Sequence, residues 1–341
     1  MKQKIIPNTL LFIFIIFFVN IFNTLFGKEN ALVGVSTIVA ALVLLSKDLT
    51  KNSFNNFSKL LLVNIGLGVS SYIAAHNVWV GLFINFMVLA SIGYFLSYNF
   101  TKELVVAFGL QYNFMLYTPV NGVMFGKRLL GLMFAAVFIM VLQLIVNSKK
   151  KKIEVEKSDI LEFEEEGNDS KTITILGKSV QVHPVRAGYA IRVGLLTSLT
   201  AFIAGYFELA QGRWMTYTIF SLTELYSEHC KVRSKQRLEG TIIGAIIVIL
   251  LFMIIKNNTI RLAMIFVGGY LDTYTTNYRD KIICVTISVV AAMSISDGSI
   301  YSSMQRIMYV FIGAVIALIA NKYIFSFSKE EDNKNMTLGF K

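Results

Sequence analysis

Apolar runs of about twenty residues recur along this chain of 341 residues, separated by short polar stretches. In the first half they fall at 5–26, 31–46, 60–75, 78–97, 104–119 and 128–147. In the second half they fall at 185–209, 214–226, 238–255, 262–275, 282–295 and 306–325. Runs of this length suit helices that cross a bilayer. The pattern predicts an all-α polytopic membrane protein with about twelve transmembrane helices. The first run follows Lys2 and Lys4 and imitates a secretion signal. It is long, lacks a small-residue cleavage site and is followed by further spans, so it reads as an uncleaved first helix. Between the two sets, 148–183 is polar. It opens on Lys149 to Lys152 and continues through Glu162-Phe163-Glu164-Glu165-Glu166. Its end is β-branched or alternating at 172–176 and 179–182 around Gly177-Lys178, which predicts a small hairpin. The segment is too short for an independent catalytic domain and reads as a cytoplasmic linker. The division is a first membrane repeat at 1–147, the linker at 148–183, a second membrane repeat at 184–325, and a charged tail at 326–341.

One offset relates the two sets of runs. A shift of 178 positions carries Gly27 onto Gly205, Lys59 onto Arg237, Gly66 onto Gly244, Asn99 onto Asn277 and Arg128 onto Arg306. Asn99 and Asn277 each precede an aromatic, Phe100 and Tyr278. Agreement at one offset, at the same places in the order of spans, points to duplication. The register slips between these anchors, since Trp214 has no tryptophan counterpart.

Charge decides orientation. With both termini inside, the outer side carries Lys28, Lys127, Arg128, Arg213, Lys256, Arg261 and Arg306. These are seven of the 32 Lys and Arg, which leaves 25 for the cytoplasmic side. The bias supports cytoplasmic termini and an even number of spans in each half. The halves are then parallel six-helix repeats about an axis along the membrane normal. The net charge of +11 follows from this bias and needs no nucleic acid partner. An apolar fraction of 55%, a charged fraction of 16% and a mean hydropathy of +0.61 exclude an ordinary soluble domain. Cys230 and Cys284 form no disulfide framework, and His76, His183 and His229 are scattered, so no metal site is expected. No phosphate-binding loop, His-Glu-x-x-His or Gly-x-Ser-x-Gly is present, and neither an enzyme nor a cofactor is expected.

Lys235-Gln236-Arg237-Leu238-Glu239-Gly240-Thr241-Ile242-Ile243-Gly244-Ala245 leads from a basic head into an apolar helix. Gly240 and Gly244 share a helix face with Thr241 beside them, and allow another helix close approach. The pattern Arg-x-x-Gly-Thr-x-x-Gly-Ala follows an Arg/Lys-rich stretch and a helix that begins at Trp214. Over about 186–255 it resembles the fusaric acid resistance-like family, which includes the aromatic acid exporters. The resemblance implies export of small, often aromatic, carboxylates driven by an ion gradient, with Arg237 matching the family's arginine. Members often carry a Gln-Pro ending where this chain reads Leu222-Thr223-Glu224-Leu225, and often a large soluble domain where this chain has the linker.

Ionisable groups inside spans are the natural candidates for chemistry. Glu224 either binds and releases a proton or pairs with Arg233 or Arg237. Asp272, in Gly268-Gly269-Tyr270-Leu271-Asp272, either lines a cavity with Tyr270 or faces the cytosol in an aromatic belt. Gln111, with Tyr112 and Asn113, either meets a polar solute or makes a helix–helix contact. Lys231, Arg233, Lys235 and Arg237 form a basic strip that attracts an organic anion or anionic lipid. The symmetry of Arg128 and Arg306 suggests a structural or gating role; the simpler reading is interfacial side chains with wet guanidiniums. The expected partners are membrane lipids and a small organic anion, in a cell membrane, with self-association left open. The competing reading is a non-transporting membrane scaffold that docks a cytosolic protein.

Overall fold

The computed structural model describes residues 2–97, 101–150, 171–175, 178–297 and 299–327. Most of the charged linker stretch (151–170), the tail beyond 327 and the Asn99–Phe100 pair lie outside them. The described chain is helical apart from one hairpin. Its helices are α1 (Lys2–Phe26), α2 (Ala31–Leu44), α3 (Ser53–His76), α4 (Val78–Phe95), α5 (Glu103–Tyr117) and α6 (Val123–Lys150). After the hairpin come α7 (Pro184–Tyr206), α8 (Arg213–Leu222), α9 (Ser227–Ile254), α10 (Asn258–Asp272), α11 (Tyr278–Asp297) and α12 (Ser299–Tyr323). The hairpin pairs β1 (Lys171–Ile175) with β2 (Lys178–Val182) antiparallel, Ile175 opposite Lys178.

Among the described residues, seven helices are long and apolar enough to cross a membrane: α1, α3, α4, α6, α7, α9 and α12. Their outward faces carry large apolar side chains at helical spacing, such as Leu130, Met133, Val137 and Val141 on α6 and Met308, Phe311, Val315 and Ile319 on α12. Exposed apolar stripes of this extent suit lipid and would be untenable in water. The remaining helices are shorter or more polar. The run at 214–226 was expected to be one span, yet α8 has ten residues, about 15 Å of rise. Residues 223–226 leave the helix, with Thr223 and Tyr226 in extended conformation. Thr223, Glu224 and Leu225 are nonetheless buried. Non-helical backbone inside a membrane protein must find partners within it. Asn321 of α12 supplies two: its Oδ1 accepts from the Glu224 N–H at 3.0 Å and its Nδ2 donates to the Leu222 carbonyl at 3.4 Å.

The chain divides into two compact units, Phe17–Phe202 and Met1–Ile16 with Ile203–Lys341. In the first, α3 packs on α4, α5 and α6, and α2 on α5 and α6. α7 lies against α4 with very little between them. A Cβ on Gly93 would stand 2.9 Å from the Ala190 Cα, and one on Gly194 would stand 2.9 Å from the Phe86 carbonyl. Arg186 Nη2 donates to the Tyr94 carbonyl at 2.8 Å. The core of this unit is partly polar. Gln111 Nε2 donates to Asn64 Oδ1 at 2.8 Å and the Tyr112 hydroxyl to Asn85 Oδ1 at 2.6 Å. Gln143 Nε2 donates to the Leu44 carbonyl at the end of α2.

In the second unit, α9 packs on α11 and α12, α11 on α10 and α12, and α12 on α8. Glycines set the closest approaches. A Cβ on Gly244 would lie 2.8 Å from the Thr286 Cβ, and one on Gly313 would lie 2.9 Å from the Met215 carbonyl. The start of α1 belongs here. Asn8 Nδ2 donates to the Thr273 carbonyl at 3.0 Å, Thr9 and Tyr270 share a hydroxyl contact at 3.0 Å, and the Phe12 ring meets Tyr270 edge-on at 5.3 Å. The core between α9 and α11 is apolar, built on Val248, Phe252, Ile287, Val290 and Ala291.

Candidate functional site

The second unit holds a line of cationic and aromatic side chains. At the start of α9, Glu224 Oε1 lies 3.0 Å from Arg233 Nε, off the N–H axis, so the two form an ion pair rather than a hydrogen bond. The Arg233 guanidinium carbon sits 4.2 Å from the centroid of the Tyr278 ring. One helical turn on, Arg237 Nη1 donates to the Tyr278 hydroxyl at 3.0 Å and its Nε to Thr218 Oγ1 at 3.2 Å. Ser221 hydrogen-bonds the same phenol. Tyr278 therefore stands between two guanidiniums, one over its ring and one on its oxygen.

Helix geometry explains the meeting. Arg233 and Arg237 are four apart and share a face of α9. Gly240 continues that face and would place a Cβ 2.7 Å from the Arg279 carbonyl, so α11 begins in contact with α9 and carries Tyr278 between the arginines. Thr241, on the same face, is buried with Gly240 and Gly244.

A second pair of cations flanks Trp214 at the start of α8. The Arg306 guanidinium carbon is 4.0 Å from the Trp214 ring centroid, and that of Arg213 is 5.5 Å away. Gln211 Oε1 fixes the indole and Arg213 by accepting from Trp214 Nε1 at 3.0 Å and Arg213 Nη2 at 3.1 Å. Arg306 is only 2% exposed. It makes one long contact, Nη2 to Thr286 Oγ1 at 3.5 Å. Among the described residues its Nε and Nη1 meet no acceptor, and the charges acting on it are those of Arg237 and Arg213.

Of the sequence candidates, the structure brings Glu224, Arg233 and Arg237 together, through Tyr278. Tyr270 and Asp272 stand apart from them on α10. Tyr270 faces the start of α1, and Asp272 Oδ1 accepts from the Thr275 hydroxyl at 3.2 Å. Gln111 is buried in the other unit, where it bonds Asn64 across a helix contact. Arg128 and Arg306 are corrections. Both were expected at the interface with wet guanidiniums, and both are buried. Tyr278, Thr218, Thr286 and the pairing of Trp214 with Arg306 carry no mark as site features in the sequence. The one available signal was the Arg128–Arg306 symmetry, which marked Arg306 without placing it.

Residues 199–320 match the model of the fusaric acid resistance protein-like family. The match starts later than the expected 186–255 core and runs into α12, so it takes in every residue of the line from Trp214 to Arg306. No curated protein and no solved structure matches the chain. The match and the apolar helices together suggest a multi-pass membrane protein of the transporter type.

Proposed function

We propose that this chain, similar from the end of α7 into α12 to fusaric acid resistance proteins, is a cell-membrane secondary transporter. It exports small aromatic carboxylates on an ion gradient, with both termini in the cytoplasm. The observation that carries the reading is the break after α8, where Glu224, buried and outside any helix, pairs with Arg233, with Arg237 one helical turn further along α9. Discontinuous helices with charged groups at the break are how many secondary transporters build their binding sites. An arginine fork recognises a carboxylate through two parallel N–H bonds. The anion enters beside Arg233 and competes with Glu224 for it.

The twelve helices form two parallel six-helix repeats. The offset of 178 carries each helix of the first half onto its counterpart, α3 (53–76) onto α9 (227–254) and α4 (78–95) onto α10 (258–272). It carries Gln143 and Leu44 onto Asn321 and Leu222, and both pairs make the same side-chain to carbonyl bond. It carries Asn8 onto Arg186, each of which reaches the carbonyl end of the other half's fourth helix. Parallel repeats allow rocking of one bundle against the other around a fixed site.

The test is flux of benzoate and related aromatic carboxylates into liposomes holding purified protein, with and without an imposed pH gradient. Flux above protein-free liposomes, increased by the gradient, is expected. No flux of any member of the panel would return the chain to the scaffold reading.

A further inference from the structure

We propose that Arg306 and Trp214 form an occluded binding site for a small planar carboxylate, a second station beyond Arg237. Its place on a transport path rests on the function proposed above, whereas its ability to bind does not.

The argument starts from Arg128, the residue 178 positions earlier. Arg128 is as deeply buried, but its guanidinium is fully used. Nε donates to Asn30 Oδ1 at 2.7 Å, Nη2 to the Thr118 carbonyl at 2.7 Å, and longer contacts reach the carbonyls of Met115 and Glu29 at 3.4 Å. Two of these acceptors exist because α5 ends at Tyr117, which leaves carbonyls of its last turn without helical N–H partners. Its counterpart α11 runs on to Asp297, beyond the matching position 295. The carbonyl of Met293, which matches Met115, is therefore taken up by the helix itself. Asn30 is matched by Glu208, whose side chain is exposed and whose φ is +50°. At two of the four acceptor positions, those of Asn30 and Met115, the second half offers Arg306 no matching acceptor.

Among the described residues, what surrounds Arg306 is positive and aromatic. Arg237 and Arg213 act on it, and Trp214 lies beneath its plane. An unpaired buried cation is costly, and an aromatic face offsets only part of that cost. An anion that uses the free Nε and Nη1 donors removes it. A carboxylate suits the planar fork better than a spherical ion. Close packing at Gly244 and Gly313 seals the group in this conformation, so an anion reaches it only when these helices separate.

Tryptophan fluorescence gives a direct readout. The chain has two tryptophans, and Trp79→Phe leaves Trp214 as the only one. Full-length protein of that background, purified in detergent, is titrated with sodium benzoate, with sodium chloride at matched ionic strength, and with inorganic phosphate. A saturable change in emission with benzoate alone is expected. Arg306→Met should weaken the apparent affinity by roughly tenfold to a hundredfold. Arg306→Lys keeps the charge without the fork and should fall between. It also serves if Arg306→Met does not fold. An unchanged benzoate response in either variant, or an equal response to chloride or phosphate in the parent, would overturn the proposal. Liposome flux separates the two readings. Arg306-dependent binding without flux leaves the site standing and removes the transport function. Full flux in Arg306→Met removes the site from the path and leaves the function.

Discussion

Arg128 and Arg306, 178 positions apart, are equally buried at 2% exposure, yet Arg128 has an acceptor for each of its guanidinium nitrogens, whereas Arg306 Nε and Nη1 have none among the described residues. Replacement by methionine should therefore act in opposite directions. Arg128→Met leaves Asn30 Oδ1 and the Thr118 carbonyl without a donor, at about 1–3 kcal/mol for each buried group. Arg306→Met removes a charge that no described residue neutralises and should be neutral or stabilising, by up to about 4 kcal/mol. Thermal unfolding of both variants in detergent reads the sign. Equal destabilisation would mean that Arg306 has a structural partner after all.

Gly66 and Gly244 also match in position and differ in surroundings. A Cβ on Gly244 meets Thr286 and the Ile283 carbonyl inside 3 Å, whereas one on Gly66 meets nothing within 4 Å. Gly244→Ala should push α9 from α11 and cost about 1–3 kcal/mol. Gly66→Ala should gain about 0.5–1 kcal/mol through the lower entropy of its unfolded chain. Expression and melting temperature of the two alanine variants give the comparison, and a similar loss in both would argue against the close α9–α11 contact.

Orientation can be read at the hairpin. Ser179→Cys places a thiol on β2, while the native Cys230 and Cys284 are both buried. In intact cells this thiol should stay unlabelled by an impermeant maleimide and become labelled after permeabilisation. Labelling from outside would reverse the orientation and remove the positive-inside argument.

Glu224 faces Arg233 at 3.0 Å, and Glu224→Gln keeps the shape while it removes the charge. The variant should lose most of the pH-gradient-driven component of benzoate flux and keep exchange of benzoate for benzoate. Flux that still follows the gradient fully would make the pair a structural link.

Much of this arrangement is legible in the residues. Apolar length marks the twelve helices, of which seven are long and apolar enough to cross a membrane among the described residues, and Arg237 stands out through its Gly-Thr-x-x-Gly-Ala setting. The pairing of Glu224 with Arg233 was one of two readings open from the sequence. The end of α8 was not legible, because Thr223-Glu224-Leu225-Tyr226 holds neither glycine nor proline to mark a break. Its backbone turns out of the helix because Asn321, almost a hundred positions away, offers other partners. Tyr278 escaped for a similar reason: it meets Arg237 across 41 positions of chain. The state of Arg306 depends on where α11 stops, and helix ends are the least certain part of any sequence reading.

The split of α1 between the two units bears on how the protein is made. Its first turns rest on α10, with Asn8 bonded to Thr273 across 265 positions. When α7 leaves the ribosome, its partner α4 has already been synthesised. When α1 leaves, most of the chain it needs does not yet exist. At roughly 5–20 residues per second the wait is on the order of ten seconds to a minute. During that time the helix must persist in lipid by its own hydrophobicity, and its run of exposed Ile5, Ile6, Leu10, Ile13, Phe14 and Phe17 suits it to do so. α1 is thus made long before the helix it rests on, and assembly of the second unit waits on α10.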